Sequence, residues 1–428
     1  MRTIHVPVLT RVEGEGALQV VLSDGIVKQV RLAIFEPPRF FEALLRGRPL
    51  EETPDITARI CGICPVAYQM TSVHALESAL GVEITPEIRA LRRLLYCGEW
   101  IESHGVHIHL LHIPDFFRVN SVIELAKQFP AEVQRGLRLK KAGNRLLEVL
   151  GGRATNPINV TVGGFHRAPR VSELRQLIEE LKWGLDASVA TAHWVAQFEF
   201  PEFDRDYEMV SLRHPQEYPM NEGRIASSKQ LDLPMQEFEN CFQEVQVPHS
   251  TALQSVRMPE SSSYLVGPLA RMNLNRERLM PIAHQLSSEV NVHWPCTNPF
   301  KSIIARCLEV VHAFEEALKT IEEYTGCTPG KIDYTPRAAE GSWVTEAPRG
   351  LIYHRYGITD DGLLNFAKIV PPTSQNQGQI ERDISEYLPR VLGESDSEIA
   401  AACERLIRSY DPCISCSTHF LKMQIERQ

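Results

Sequence analysis

Two pairs of cysteines carry the clearest chemistry in this chain: Cys61 with Cys64, and Cys413 with Cys416, each in a Cys-x-x-Cys spacing. Two intervening residues allow both sulfurs of a pair to reach one metal centre, and four thiolates favour soft or borderline metals. From these residues alone three uses stay open. A structural zinc or single-iron site is the commonest, a thioredoxin-like redox motif is the second, and a centre assembled by the whole fold is the third. Zinc ribbons separate their pairs by roughly 15 to 20 residues, whereas these pairs lie near opposite ends of a 428-residue chain. Neither pair sits in a recognisable βαβ context. The spacing suits a site that draws both termini into the core.

The elements that must bring those ends together read as mainly helical. Leu18, Val20 and Leu22 alternate, Asp24-Gly25 supplies a turn and Ile26 resumes, which predicts a β-hairpin over 17–32 in a β-rich segment spanning 1–35. Helical spacing takes over from about Pro86, as in Leu308, Val311, Phe314, Leu318 and Ile321, and in Leu174, Leu177, Ile178 and Leu181. A basic amphipathic stretch over 131–150 ends at Gly151-Gly152, the pattern of a helix with a glycine stop. No repeat, low-complexity tract or Gly/Ser linker interrupts the chain, so one integrated domain over 1–428 is expected.

Composition narrows the function. Lys and Arg number 45 against 54 Asp and Glu, a net charge of -9, so no basic excess is present to track phosphates and nucleic acid is excluded as a partner. No run approaches the roughly 18 apolar residues of a membrane span, and Met1 to Leu9 lacks the apolar core of a secretory signal. The remaining cysteines lie mostly alone, which reads as a reducing, cytoplasmic setting rather than a disulfide framework.

The residues flanking the cysteines carry a family resemblance. Arg59-Ile60-Cys61-Gly62-Ile63-Cys64 and Asp411-Pro412-Cys413-Ile414-Ser415-Cys416-Ser417-Thr418-His419 resemble the two signature motifs of nickel-iron hydrogenase large subunits. The resemblance extends through Arg11-Val12-Glu13-Gly14, Asn156-Pro157, Val162-Gly163-Gly164, Glu346-Ala347-Pro348-Arg349-Gly350 and Pro372-Thr373-Ser374-Gln375-Asn376, nearly the whole chain. It implies an α+β fold, mainly α with small β-sheets, built like those subunits around a central helical bundle. It also implies a nickel held by four thiolates and bridged to an iron carrying cyanide and carbon monoxide. By motif position Cys61 and Cys413 would be terminal nickel ligands, and Cys64 and Cys416 would bridge the two metals.

Other positions follow from the same resemblance. Glu13 matches a carboxylate beside the terminal thiolate of the second pair, where a buried glutamate would suit a first proton acceptor. Arg349 matches a guanidinium over the open metal face, and Pro348 and Thr373 match contacts to the cyanide ligands. Glu42 and His419 match a second site for magnesium or iron. Read alone, each of these is an ordinary loop or surface residue. His104, His107, His109 and His112 lie on one predicted helix beside the site and are assigned to hydrogen bonding and packing rather than to metal binding.

Two departures stand out. Tyr68 replaces a histidine common four positions after the second cysteine, and Ser103 replaces the aspartate that often pairs with the active-site arginine, which weakens any mechanism resting on an arginine-aspartate canopy. Both resemble the cytoplasmic multimeric hydrogenases, sulfhydrogenase alpha subunits among them. The implied activity is reversible cleavage of dihydrogen, with electrons leaving through a small iron-sulfur subunit because this chain has no further clustered cysteines. Diaphorase-type NAD(P)/flavin and iron-sulfur subunits are implied beyond it, since no G-x-G-x-x-G fingerprint is present here. A maturation protease, acting on a cleavable tail over 420–428, and nickel-insertion proteins complete the implied partners. A dihydrogen sensor and a non-catalytic quinone-module homologue are the alternatives, the second disfavoured by retention of all four cysteines.

Overall fold

The computed structural model describes residues 2–23, 26–35 and 40–418. The predicted hairpin is present as strands Gly16–Ser23 and Ile26–Ile34, with Arg2–Val6 added to form an antiparallel sheet in the order first-second-third. Leu18, Val20 and Leu22 point into the core, as the alternation requires. The Asp24-Gly25 turn and His419 with the tail over 420–428 lie outside the described residues.

The body is helical. Pro86–Val106 packs along Pro130–Gly151, and Ser302–Glu323 packs against both Pro86–Val106 and Ile178–Val195. Gly143 makes the first of these contacts close: a Cβ there would lie 2.7 Å from the Glu102 amide nitrogen and from the Gly98 carbonyl oxygen. The Pro130–Gly151 helix stops where expected, with Gly152 left-handed at φ 85°. The apolar run over 174–181 is split between the helices Val171–Arg175 and Ile178–Val195.

Two elements were not expected. Pro65–Leu80 is a helix that begins directly after Cys64, and Ala339–Ala347, Gly350–Ile358 and Leu364–Val370 form a second three-stranded antiparallel sheet. That sheet leads straight into the Pro372–Tyr387 helix, so Arg349 lies in the turn between its first two strands and Thr373 at the start of the helix. Among the described residues, no helix is long and apolar enough to cross a membrane.

The chain ends do meet. Glu13 and Cys413 form a parallel bridge, and the Ile414 amide donates to the Glu13 carbonyl at 2.9 Å. The segment before Glu13 is tied to the Asp396–Tyr410 helix by Arg408, which donates to both oxygens of Asp115 at 2.7 and 2.8 Å and to the Thr10 carbonyl at 2.9 Å. All four motif cysteines are part of the main hydrophobic core.

Candidate metal centre

Each cysteine pair sits at the N-terminal end of a helix. Cys64 caps Pro65–Leu80, with Pro65 at the first helical position, and Cys413 caps the short Ile414–Ser417 helix. The Cys61 sulfur accepts from the amides of Ile63 at 3.3 Å and Cys64 at 3.1 Å, closing the first turn around its own thiolate position. The Pro65–Leu80 helix has no capping side chain of its own. Glu99, fully buried on Pro86–Val106, supplies one from outside: its carboxylate accepts from the amides of Val66 at 2.6 Å and Ala67 at 3.1 Å.

The four sulfurs converge to within 4.8 Å of one another, all buried. Cys61 lies 2.8 Å from Cys64 and 3.6 Å from Cys413. Cys413 and Cys416 are likewise side by side, and metal binding requires all four sulfurs as thiolates. Sulfurs bound at about 2.3 Å to one ion lie roughly 3.8 Å apart, close to the Cys61–Cys413 separation and wider than the Cys61–Cys64 one. Burial raises the Cys61 pKa, but the Cys64 hydrogen bond and the nearby Arg349 charge outweigh it and leave Cys61 below the ordinary thiol range. Cys64 goes the other way, first because it donates to Cys61 and then through burial. Of the first pair, only Cys61 is thus held toward the thiolate form that a metal requires.

Around the sulfurs the remaining residues fall into place unevenly. One Glu13 carboxylate oxygen lies 3.0 Å from the Cys413 sulfur and accepts from the Ser415 amide at 3.1 Å. Glu13 is half-buried, not buried as expected, because it lies on an N-terminal segment that only skirts the core. The Thr373 hydroxyl oxygen accepts from the Cys413 amide at 2.9 Å, so it holds the second cysteine motif. The Pro348 carbonyl accepts from Arg271 at 2.9 Å.

Arg349 is 2 % exposed and its counterion corrects the sequence reading. Ser103 is indeed close, 3.4 Å from one terminal nitrogen, but an arginine-aspartate pair exists nonetheless. It is made with Asp411, whose carboxylate lies 3.1 Å from the other terminal nitrogen and whose carbonyl accepts from Nε at 2.8 Å. Burial works against the arginine charge. Asp411 first, then Cys64, Cys61 and Glu13, outweigh that penalty and raise its pKa above the ordinary arginine value. Asp411 was part of the quoted motif, yet its role depends on a left-handed turn, φ 54°, that swings its side chain back onto Arg349.

Glu42 is buried and accepts from the Ile369 amide at 2.7 Å, and burial pushes its carboxyl up to about 7. A second carboxylate, Glu244, is itself raised to about 8, by burial and then by Glu42. His419, the expected companion of Glu42, lies outside the described residues.

The four histidines are all buried, but not on one regular helix: the chain passes into a π-helical turn over His107–His112. His104 meets the Glu309 carboxylate at 2.9 Å, and His107 donates to the Arg408 carbonyl at 2.7 Å. Among the described residues the only group of His, Cys, Asp and Glu arranged to hold a metal is the cysteine quartet. Tyr68 is buried with its ring 5.7 Å from that of His354.

Residues 39–136 and 260–419 match the family described as nickel-dependent hydrogenase. Among curated proteins, the chain is 31 % identical to sulfhydrogenase 1 subunit alpha of Pyrococcus furiosus, over 99 % of this chain and 100 % of that protein. It is 26 % identical to the beta subunit of the NAD-reducing hydrogenase HoxS of Cupriavidus necator, over 98 % and 95 %. Among solved structures it is similar to an NAD+-reducing [NiFe]-hydrogenase in the H2-reduced state, with a TM-score of 0.90 and 24 % identity over 98 % of this chain and 100 % of that one. The Ni-Fe-Se hydrogenase of D. vulgaris Hildenborough superposes with a TM-score of 0.80 at 22 % identity, over 98 % and 100 %.

Proposed function

This chain belongs to the nickel-dependent hydrogenase family, and from that premise we propose that it is the catalytic subunit of a cytoplasmic nickel-iron hydrogenase that cleaves dihydrogen reversibly into two protons and two electrons. The observation that carries this reading is the convergence of four buried cysteine sulfurs within 4.8 Å. Cys61, Cys64, Cys413 and Cys416 would hold the nickel and, through Cys64 and Cys416, an iron with cyanide and carbon monoxide ligands. When bound, that pair of metals would supply an open electrophilic position for dihydrogen and accept the electrons released.

The chain's own residues would handle the proton and the charge. Glu13 Oε2, 3.0 Å from the Cys413 sulfur, can take a proton from that sulfur and pass it outward, because it reaches from the core to a half-exposed position. The Ser415 amide on the same oxygen fixes its place. Arg349 holds a permanent positive charge beside the sulfurs, and Asp411 keeps its guanidinium from swinging away. Thr373 and Pro348 would face the diatomic ligands. Glu42 with His419 would bind magnesium or iron, with a carboxylate suited to a hard cation.

Electrons would leave through an iron-sulfur subunit to diaphorase-type subunits and NAD(P), with a maturation protease and nickel-insertion proteins acting beforehand. The similarity to an NAD-reducing hydrogenase supports this acceptor, and the stronger similarity to sulfhydrogenase alpha subunits makes the acceptor the point to test. Dihydrogen-dependent reduction of NAD+ or NADP+ by the purified complex is the expected result. Turnover with an artificial dye but with neither nucleotide would remove the nucleotide link, and no turnover with any acceptor would remove the hydrogenase reading.

A further inference from the structure

Arg271 lies on the Pro268–Asn275 helix, is fully buried, and has no part in the chemistry above. All three of its guanidinium nitrogens donate. Nε and one terminal nitrogen fork the Glu309 carboxylate at 2.7 and 2.8 Å. The other terminal nitrogen reaches Glu346 at 2.9 Å and the Ala347 carbonyl at 2.8 Å, and the forked one also reaches the Pro348 carbonyl at 2.9 Å. The two carbonyls immediately before Arg349 are therefore both fastened to one side chain.

Glu309 also ties to the helix that carries Ser103. Glu309, which also accepts from the Tyr218 hydroxyl at 2.7 Å, meets His104 at 2.9 Å, and His104 is the neighbour of Ser103, whose hydroxyl lies 3.4 Å from Arg349. Gly267, at the N-terminus of the Arg271 helix, abuts the Arg349 carbonyl so closely that a Cβ there would lie 2.7 Å from it. Burial would raise the Glu309 pKa, but Arg271 outweighs burial and holds it at about 2, so the pair stays ionised. A desolvated ion network is a poor source of stability, since apolar packing of the same volume is commonly as stable or more so. Its planar fork does, however, fix direction in a way apolar contacts do not.

We propose that Arg271 and Glu309 are positioning residues that set the orientation of Arg349 beside the cysteine sulfurs by clamping the Ala347-Pro348 backbone. This rests on the proposed function of the centre. Arg271→Lys in the complete hydrogenase complex keeps the charge and loses the fork. The expected result is retained nickel, displaced infrared bands of the metal-bound diatomic ligands, and kcat lowered on the order of 10-fold, because small misplacements of a catalytic group are costly.

Coupling separates positioning from a general structural role. Added to Arg349→Lys, Arg271→Lys should lower kcat little further, whereas an independent effect would multiply in full. Bands and kcat equal to the unmodified complex, or full multiplication in the double variant, would overturn the inference. Should Arg271→Lys not accumulate as folded protein by circular dichroism, Glu309→Gln enters the same cycle with the same two outcomes. Absence of nickel and of diatomic bands in the unmodified complex would instead defeat the reading of the centre itself.

Discussion

Arg349 donates twice to Asp411, to its carbonyl at 2.8 Å and to its carboxylate at 3.1 Å, and so joins the turn between two strands of the second sheet to the residue two places before Cys413. Both side chains are 2 % exposed. The pair does two things at once: it compensates a buried guanidinium beside the sulfurs and it pins the second cysteine motif to the sheet. One carboxylate oxygen of Asp411 is buried without a hydrogen-bond partner among the described residues.

Removing either partner should therefore separate stability from chemistry. Asp411→Ala leaves an uncompensated buried arginine and is expected to cost about 3–5 kcal/mol, read as a lowered midpoint of denaturant unfolding. Arg349→Lys keeps a charge and should retain nickel while lowering turnover by roughly 10²-fold or more, since a point ammonium cannot reproduce the fixed guanidinium. Unchanged turnover in the lysine variant would take Arg349 out of the chemistry.

Glu13→Gln should leave the metals in place and slow dihydrogen/proton exchange by roughly 10²- to 10⁴-fold, because the amide cannot relay a proton from the Cys413 sulfur. Isotope exchange measured by mass spectrometry reads this directly. Exchange at the rate of the unmodified protein would mean that protons leave by another residue.

Cys61→Ser and Cys413→Ser each exchange a soft thiolate for a hard hydroxyl and should lose nickel and activity together. Elemental analysis of the purified variants checks both. A variant that kept its full nickel complement would show that its sulfur is not a ligand.

Glu102 gives a pH dependence with a definite sign. Burial raises its carboxyl from 4.5 to about 7, against the pull of Lys140, which lies 3.6 Å away, and of Arg349, and with a further push from Asp411. The folded state then holds a proton that the unfolded state has released. Its contribution is fully present below about pH 4.5 and is lost as pH rises through 7, amounting to at most about 3 kcal/mol. Glu102→Gln should flatten the decline in unfolding midpoint across that window, and identical pH profiles for the variant and the unmodified protein would contradict the assignment.

Local spacing made much of the centre legible. Two Cys-x-x-Cys pairs singled out 61, 64, 413 and 416, whereas Glu13, Arg349 and Thr373 were reached only through the family resemblance, since each alone reads as an ordinary loop or surface residue. The partners were not legible, because they meet only in the fold: Glu99 caps a helix 33 residues upstream, and Arg271 meets Glu309 and Glu346 across 38 and 75 residues. Pro65–Leu80 escaped notice for a different reason. All of its residues but Ser78 are buried, so there is no solvent face and no 3.6-residue stripe to detect. The Gly350–Ile358 strand is likewise buried on both faces and lacks the alternation that revealed the N-terminal hairpin.

Metal analysis with infrared spectroscopy of the anaerobically purified complex asks whether these four cysteines hold a nickel-iron centre. Nickel and iron are expected together with bands of metal-bound cyanide and carbon monoxide, all lost in Cys61→Ser. Zinc alone in fully matured protein, with no such bands, would contradict that and return the cysteine quartet to a structural role.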